Sequence, residues 1–133
     1  GGNRKPLEDG LNIASKEYPG IAAEYILYRD LPGAVEKQRE LFCLDPGYHV
    51  TVTEVSMIWH LLGREIPDFP RVRFPPEPVP GEVLDSSQWK ERYPEGGAGS
   101  DLAYVSLEKG RLFFDFLVES LCRYTERVEG IRR

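Results

Sequence analysis

Between Pro67 and Pro80 the chain places six prolines in fourteen residues, PDFPRVRFPPEPVP. Proline removes a backbone donor and clashes with the preceding turn, so neither a helix nor a central strand runs through such a stretch. The irregular character continues past Trp89 and Tyr93 into Gly96-Gly97-Ala98-Gly99. An irregular run of that length inside a small domain is ordinarily functional or disordered. Regular structure is therefore expected on either side of residues 67–100.

The 133 residues are enough for one domain, taken as 1–133. A 41% apolar content supplies a core, and 29% charge suits a solvated surface. The net charge of −5 argues against a chain that wraps nucleic acid. Arg71/Arg73 and Arg132/Arg133 are the only hints of a basic patch. No secretory segment opens the chain, and no apolar run approaches the ~20 residues that cross a bilayer. Cys43 and Cys122 lie in apolar surroundings and make no disulfide scaffold, so both are expected as buried, reduced thiols. A soluble cytoplasmic protein follows from these features.

Residues 1–10 are polar and expected to be loose. Tyr25 and Tyr28 recur with Ile21 at helical spacing, which predicts a helix over 20–31, although Tyr25–Tyr28 alone would pass for a strand. Pro32 suits the first turn of a second helix from Gly33 to Leu44, ended by Asp45-Pro46-Gly47. Residues 48–52, YHVTV, read as a short strand. Thr53 is the expected cap of a helix from Glu54 to about Arg64. Gly81–Leu84 reads as an edge strand, and Asp85-Ser86-Ser87 as the cap of a short turn holding Trp89. From Ser106 to about Val128, Phe113, Leu117, Leu121, Tyr124 and Val128 draw one apolar stripe, widened by Leu112 and Phe116. The start of that element also admits a hairpin about Glu108-Lys109-Gly110. The fold class is α+β, mostly helical, with about four helices, a small sheet or hairpin, and a long Pro-rich crossing before the C-terminal helix.

Candidate chemistry is sparse. The two histidines, His49 and His60, and the two cysteines show no CxxC, HxxxH or HExxH spacing, so neither a metal site nor a cofactor is expected. His60 is expected on the solvent side of its helix. Cys43 and His49, six apart across a Pro-Gly turn, are the nearest approach to a nucleophile and base, and no GxSxG elbow accompanies them. A small enzyme or ligand-binding protein using Cys43, His49 and His60 is the alternative reading. The glycine cluster at 96–99 lacks a P-loop lysine and reads as a flexible connector.

The proline segment is the stronger candidate. Stiff proline runs dock on aromatic grooves because little entropy is lost on binding. Neither PxxP spacing here carries the basic residue usual for SH3 ligands. A rigid strap pinned by Phe69, Phe74 and Trp89 is the simpler expectation, and loops held by a scaffold often carry function. Trp, Tyr and Arg are the usual interface anchors. The leading expectation is an acidic protein–protein interaction module rather than an enzyme: an adaptor, inhibitor or regulatory subunit. It would contact another protein through Arg71, Arg73, Phe74, Trp89 and Tyr93.

Overall fold

In the computed structural model, which describes residues 4–20, 23–43, 47–63 and 72–131, the C-terminal helix carries most of the packing between helices. Five helices are described: α1 (Arg4–Glu17), α2 (Ala34–Phe42), α3 (Val52–Leu62), α4 (Ser86–Arg92) and α5 (Leu107–Ile131). Short 3-10 turns at Tyr28–Asp30 and Leu102–Tyr104 join them. The chain is mostly helical and has no β-sheet among the described residues, only two isolated antiparallel bridges, His49–Ala98 and Arg73–Asp101.

On α5, Gly110, Phe113, Leu117 and Ser120 are buried. Their spacing of three and four residues puts them on one helix face. Phe113 is fully buried and takes the Tyr28 and Phe42 rings edge-on, each with its centroid at 6.5 Å. Leu31 and Ala34 close the same core. Further along, the Ser120 hydroxyl donates to the Pro32 carbonyl at 3.0 Å and the Tyr124 hydroxyl to Glu24 at 3.0 Å.

The expected apolar stripe is narrower than drawn. Leu112 and Leu121 are exposed. Leu112 lies on the outer side of the helix. Leu121 fails for a different reason. α3 meets α5 first at Ser56 against Gly110 and then at His60 against Phe114, so the two helices run in the same sense. α3 stops at Leu62, short of Leu121. The hairpin alternative is excluded, because residues 107–110 are already helical.

The cap of α3 is Thr51, not Thr53. Its hydroxyl accepts from Glu54 N at 3.1 Å, and the Glu54 carboxylate accepts from Thr51 N at 3.0 Å. This reciprocal box satisfies two of the donors a helix start leaves open. Thr53 is fully buried instead, and accepts from the Gln38 side chain at 3.0 Å to tie α3 to α2. The expected strand over 48–52 reduces to the bridge at His49. Val50 has φ 52°, a conformation that no strand admits and that is unusual for a β-branched residue, and Thr51 already belongs to the helix start.

Other expectations at the N-terminal side are corrected. Residues 4–10 are helical rather than loose, although α1 buries no side chain. It is tied down through Arg4–Asp30 at 3.1 Å and the Tyr25 hydroxyl on Glu8 at 3.0 Å. Residues 23–27 are not helical, and a 3-10 turn follows. Ile26 packs on the core from this irregular run, which puts Tyr25 toward α1 and Tyr28 toward Phe113. Residues 21 and 22 lie outside the described chain. The second helix spans Ala34–Phe42, with Gly33 as its cap and Pro32 ahead of it. Cys43 and Cys122 are exposed rather than buried. Gly81–Leu84 forms no bridge among the described residues. None of the described helices is long and apolar enough to cross a membrane.

Candidate functional site

The glycine run expected to be a flexible connector is the middle of a region where irregular backbone runs pair closely. Gly97, Ala98 and Ser100 are buried. On one side Ala98 N donates to His49 O at 3.1 Å, and His49 N to Ala98 O at 3.2 Å. On the other, Gly99 N donates to Pro75 O at 2.7 Å, Phe74 N to Ser100 O at 2.8 Å, and Leu102 N to Val72 O at 3.0 Å. Three chain runs, 47–49, 97–102 and 72–76, thus lie side by side. The small residues serve close approach. A side chain at Gly97 would put its Cβ 2.4 Å from the Phe74 ring.

The proline strap is fixed from beneath. Phe74 is buried over Gly97, and Tyr93 is only 2% exposed, its hydroxyl donating to the Pro76 carbonyl at 2.7 Å. Arg92 lies over the Tyr93 ring and pairs with Glu82 at 2.7 Å. Pro75, Pro76 and Glu77 remain exposed. Of the five residues expected to meet a partner, Phe74 and Tyr93 therefore turn inward and act as pins. Arg73 is exposed and Trp89 half-buried. Arg71, like Phe69, lies outside the described residues.

Trp89 is presented by α4, whose start was legible in sequence. Asp85 accepts from the Ser87 hydroxyl at 2.6 Å, Ser87 N at 2.8 Å and Gln88 N at 2.9 Å, and the Gln88 side chain accepts from Asp85 N at 2.9 Å. The Ser87 hydroxyl above all, and then the Gln88 and Ser87 amides, hold the Asp85 carboxyl below the ordinary aspartate value. A carboxyl whose folded value is depressed stabilises its helix above the unfolded value and ceases to do so as pH falls through the lowered one. Acidification through and below the usual aspartate range is accordingly expected to fray α4 and shift the Trp89 indole NMR signal. Asp85→Asn, which can still cap but does not titrate, should lose that dependence. A wild-type indole signal indifferent to pH across this window would separate the carboxylate from the helix.

Around Trp89 the rings gather. Tyr93 lies at 4.5 Å with its ring tilted by 41°, His49 meets Trp89 edge-on at 5.1 Å, and Tyr48 lies 6.4 Å away and edge-on to His49 at 4.9 Å. Tyr48 and His49 are exposed. Beside this cluster opens a cleft of about 870 Å³ between the strap and the helical body. Phe42, Val52 and Phe74 give it apolar walls, and Arg73, Glu77 and Asp101 supply charge. Gly99 joins cleft and cluster: a Cβ there would lie 3.5 Å from Glu77 Cβ and 3.4 Å from Tyr48 N.

No protein-family model matches the chain, and no curated protein or solved structure matches it.

The residues of the alternative enzyme reading occupy three different settings. Cys43 ends α2 with its thiol 3.8 Å from Glu40 O, His49 belongs to the ring cluster, and His60 is half-buried beside Phe114 at 6.1 Å rather than fully solvated. No group of three or more His, Cys, Asp or Glu that could hold a metal is found among the described residues. Sequence reasoning missed His49 as a ring partner and Glu77 and Asp101 as cleft residues. The signal available was the small-residue run 97–100, which marks a place where backbones approach.

Proposed function

We propose that this chain is a protein–protein interaction module, an adaptor, inhibitor or regulatory subunit acting in the cytoplasm, that engages its partner through the strap and the rings beside it. The observation that carries this reading is an accessible aromatic cluster braced against a pinned proline strap. Partly exposed Trp and Tyr rings on a rigid support are the usual anchors of interfaces, because little freedom remains to be lost on binding. Trp89, with Tyr48 and His49, supplies the apolar centre. Arg73 and Glu77 supply the charged margin. Phe74 and Tyr93 act indirectly, by holding the strap in place. Two unpaired, accessible thiols suit a reducing compartment.

The test is affinity capture to identify the partner, followed by measured affinities for the purified pair. Trp89→Ala is expected to weaken binding at least tenfold, about 1.4 kcal/mol. Glu77→Gln should weaken it less and reduce its salt dependence. Undiminished binding by both variants would place the interface elsewhere.

A further inference from the structure

We infer that the platform of Tyr48, His49 and Trp89 receives a proline-containing, positively charged segment of the partner. Its prolines stack on the Trp89 indole, and its cation points toward the Glu77 carboxylate. This inference rests on the interaction-module reading and gives its partner a chemistry.

The first support is a comparison within the molecule. Trp89 on α4 and Tyr93 at its C-terminal cap lie one turn apart, with ring centroids 4.5 Å apart and planes tilted by 41°. The Tyr93 ring is covered, and its hydroxyl donates to a carbonyl of the chain's own proline run, that of Pro76, at 2.7 Å. The Trp89 ring also pairs an aromatic face with a polar hydrogen, and it remains partly open. The Trp89 indole N–H and the Tyr48 hydroxyl make no hydrogen bond to a described residue. Aromatic surfaces with such donors hold proline-rich segments by ring stacking and by bonds to the unpaired carbonyls of the extended backbone.

Charge supplies the second support. Glu77 is exposed, lies across Gly99 from Tyr48, and makes no ion pair among the described residues. Asp101 lines the same cleft, and Glu91 and Glu95 flank the end of α4. The cations nearby are Arg73, Lys90 and Arg92, the last already paired with Glu82. The acids outnumber the remaining bases, which favours a basic ligand. The rings do not form an open cage for a free ammonium. His49 packs edge-on at 4.9 and 5.1 Å from Tyr48 and Trp89, which fills the space between them. Their outer side is the surface on offer. Val50, held at φ 52° directly after His49, is the kind of strained position that collects beside binding sites.

The experiment titrates the ¹⁵N-labelled protein with three synthetic decapeptides. One alternates arginine with prolines, one replaces each arginine by glutamate, and one replaces each proline by alanine. The readout is the Trp89 indole N–H cross-peak, assigned by its loss in Trp89→Ala. The arginine–proline peptide is expected to move that peak with saturation, and each of the others to bind at least tenfold more weakly. Glu77→Gln should weaken the first peptide about threefold, the scale of one exposed ion pair. Equal binding of the alanine peptide would overturn the proline assignment, and equal binding of the glutamate peptide the charge assignment. If none of the peptides moves the peak while the captured partner still requires Trp89, the proposed chemistry is wrong and the interaction surface stands. If the partner ignores Trp89 as well, both are wrong.

Discussion

Gly110→Ala is expected to destabilise the protein by about 3 kcal/mol. The same change in an unencumbered helix interior stabilises by roughly 1 kcal/mol, so the sign itself is diagnostic. Gly110 lies in the first turn of α5, and a Cβ there would sit 2.2 Å from Ser56 O, 2.4 Å from Ser56 C and 2.9 Å from Met57 N. These are backbone atoms of α3, which cannot swing aside as a side chain can. Ser56 is fully buried at the crossing and its hydroxyl accepts from Ser106 N at 3.0 Å, so α3 and α5 must separate for the methyl to fit. Separation lifts Phe113, one turn further on, out of the site between Tyr28 and Phe42. Urea unfolding should show a lower midpoint at unchanged slope, and the melting temperature should fall by about 10 °C. Gly10→Ala in α1 is the control: nothing lies within 4 Å of its new Cβ, and it should be neutral or slightly stabilising. A Gly110→Ala midpoint equal to or above that of the wild type would mean that the two backbones do not meet at this point.

What the sequence makes legible follows from which forces are local. α5 and α3 are visible because an apolar face repeats at helical spacing, and α4 because Asp85 and Gln88 form a cap within four residues. Residues 23–28 mislead for the converse reason. Tyr25, Ile26 and Tyr28 each find a partner in another element, and those contacts override a local helical preference. Leu121 belongs by spacing to the α5 stripe, but its exposure depends on where a different helix ends. The site is legible by composition alone. A ring next to prolines looks the same in sequence whether it faces in, as Tyr93 does, or out, as Tyr48 does. The direction is set by Gly97 and Ala98, small residues far along the chain from His49 that let three backbones lie together. Such pairing leaves no periodic trace, and a glycine run reads as a linker until its neighbours are known.

Phe74→Ala is the substitution that tests whether the strap is a rigid part of the fold, and its expected cost is about 3–5 kcal/mol. Phe74 is 9% exposed, and its ring covers Gly97 so closely that no side chain fits between them. Truncation removes the only described side chain that pins the strap from below on the cleft side, leaving Tyr93 to hold Pro76 alone. The backbone bonds from Phe74 N to Ser100 O and from Gly99 N to Pro75 O then lose the shield that kept water from them. The loss should therefore be uneven. Amide exchange at Gly99, Ser100 and Leu102 is expected to rise before global unfolding, while amides around Phe113 in α5 keep their protection relative to the lowered global stability. Trp89 should remain on its helix, because the Asp85 cap does not involve the strap. If binding requires a braced strap, Phe74→Ala loses partner affinity at temperatures where the helices are still folded, and Phe74→Leu, which refills most of the volume, recovers both. Uniform loosening of helices and strap together would make the strap an integral part of the core rather than a separately held surface, and its rigidity could no longer be tuned apart from the fold.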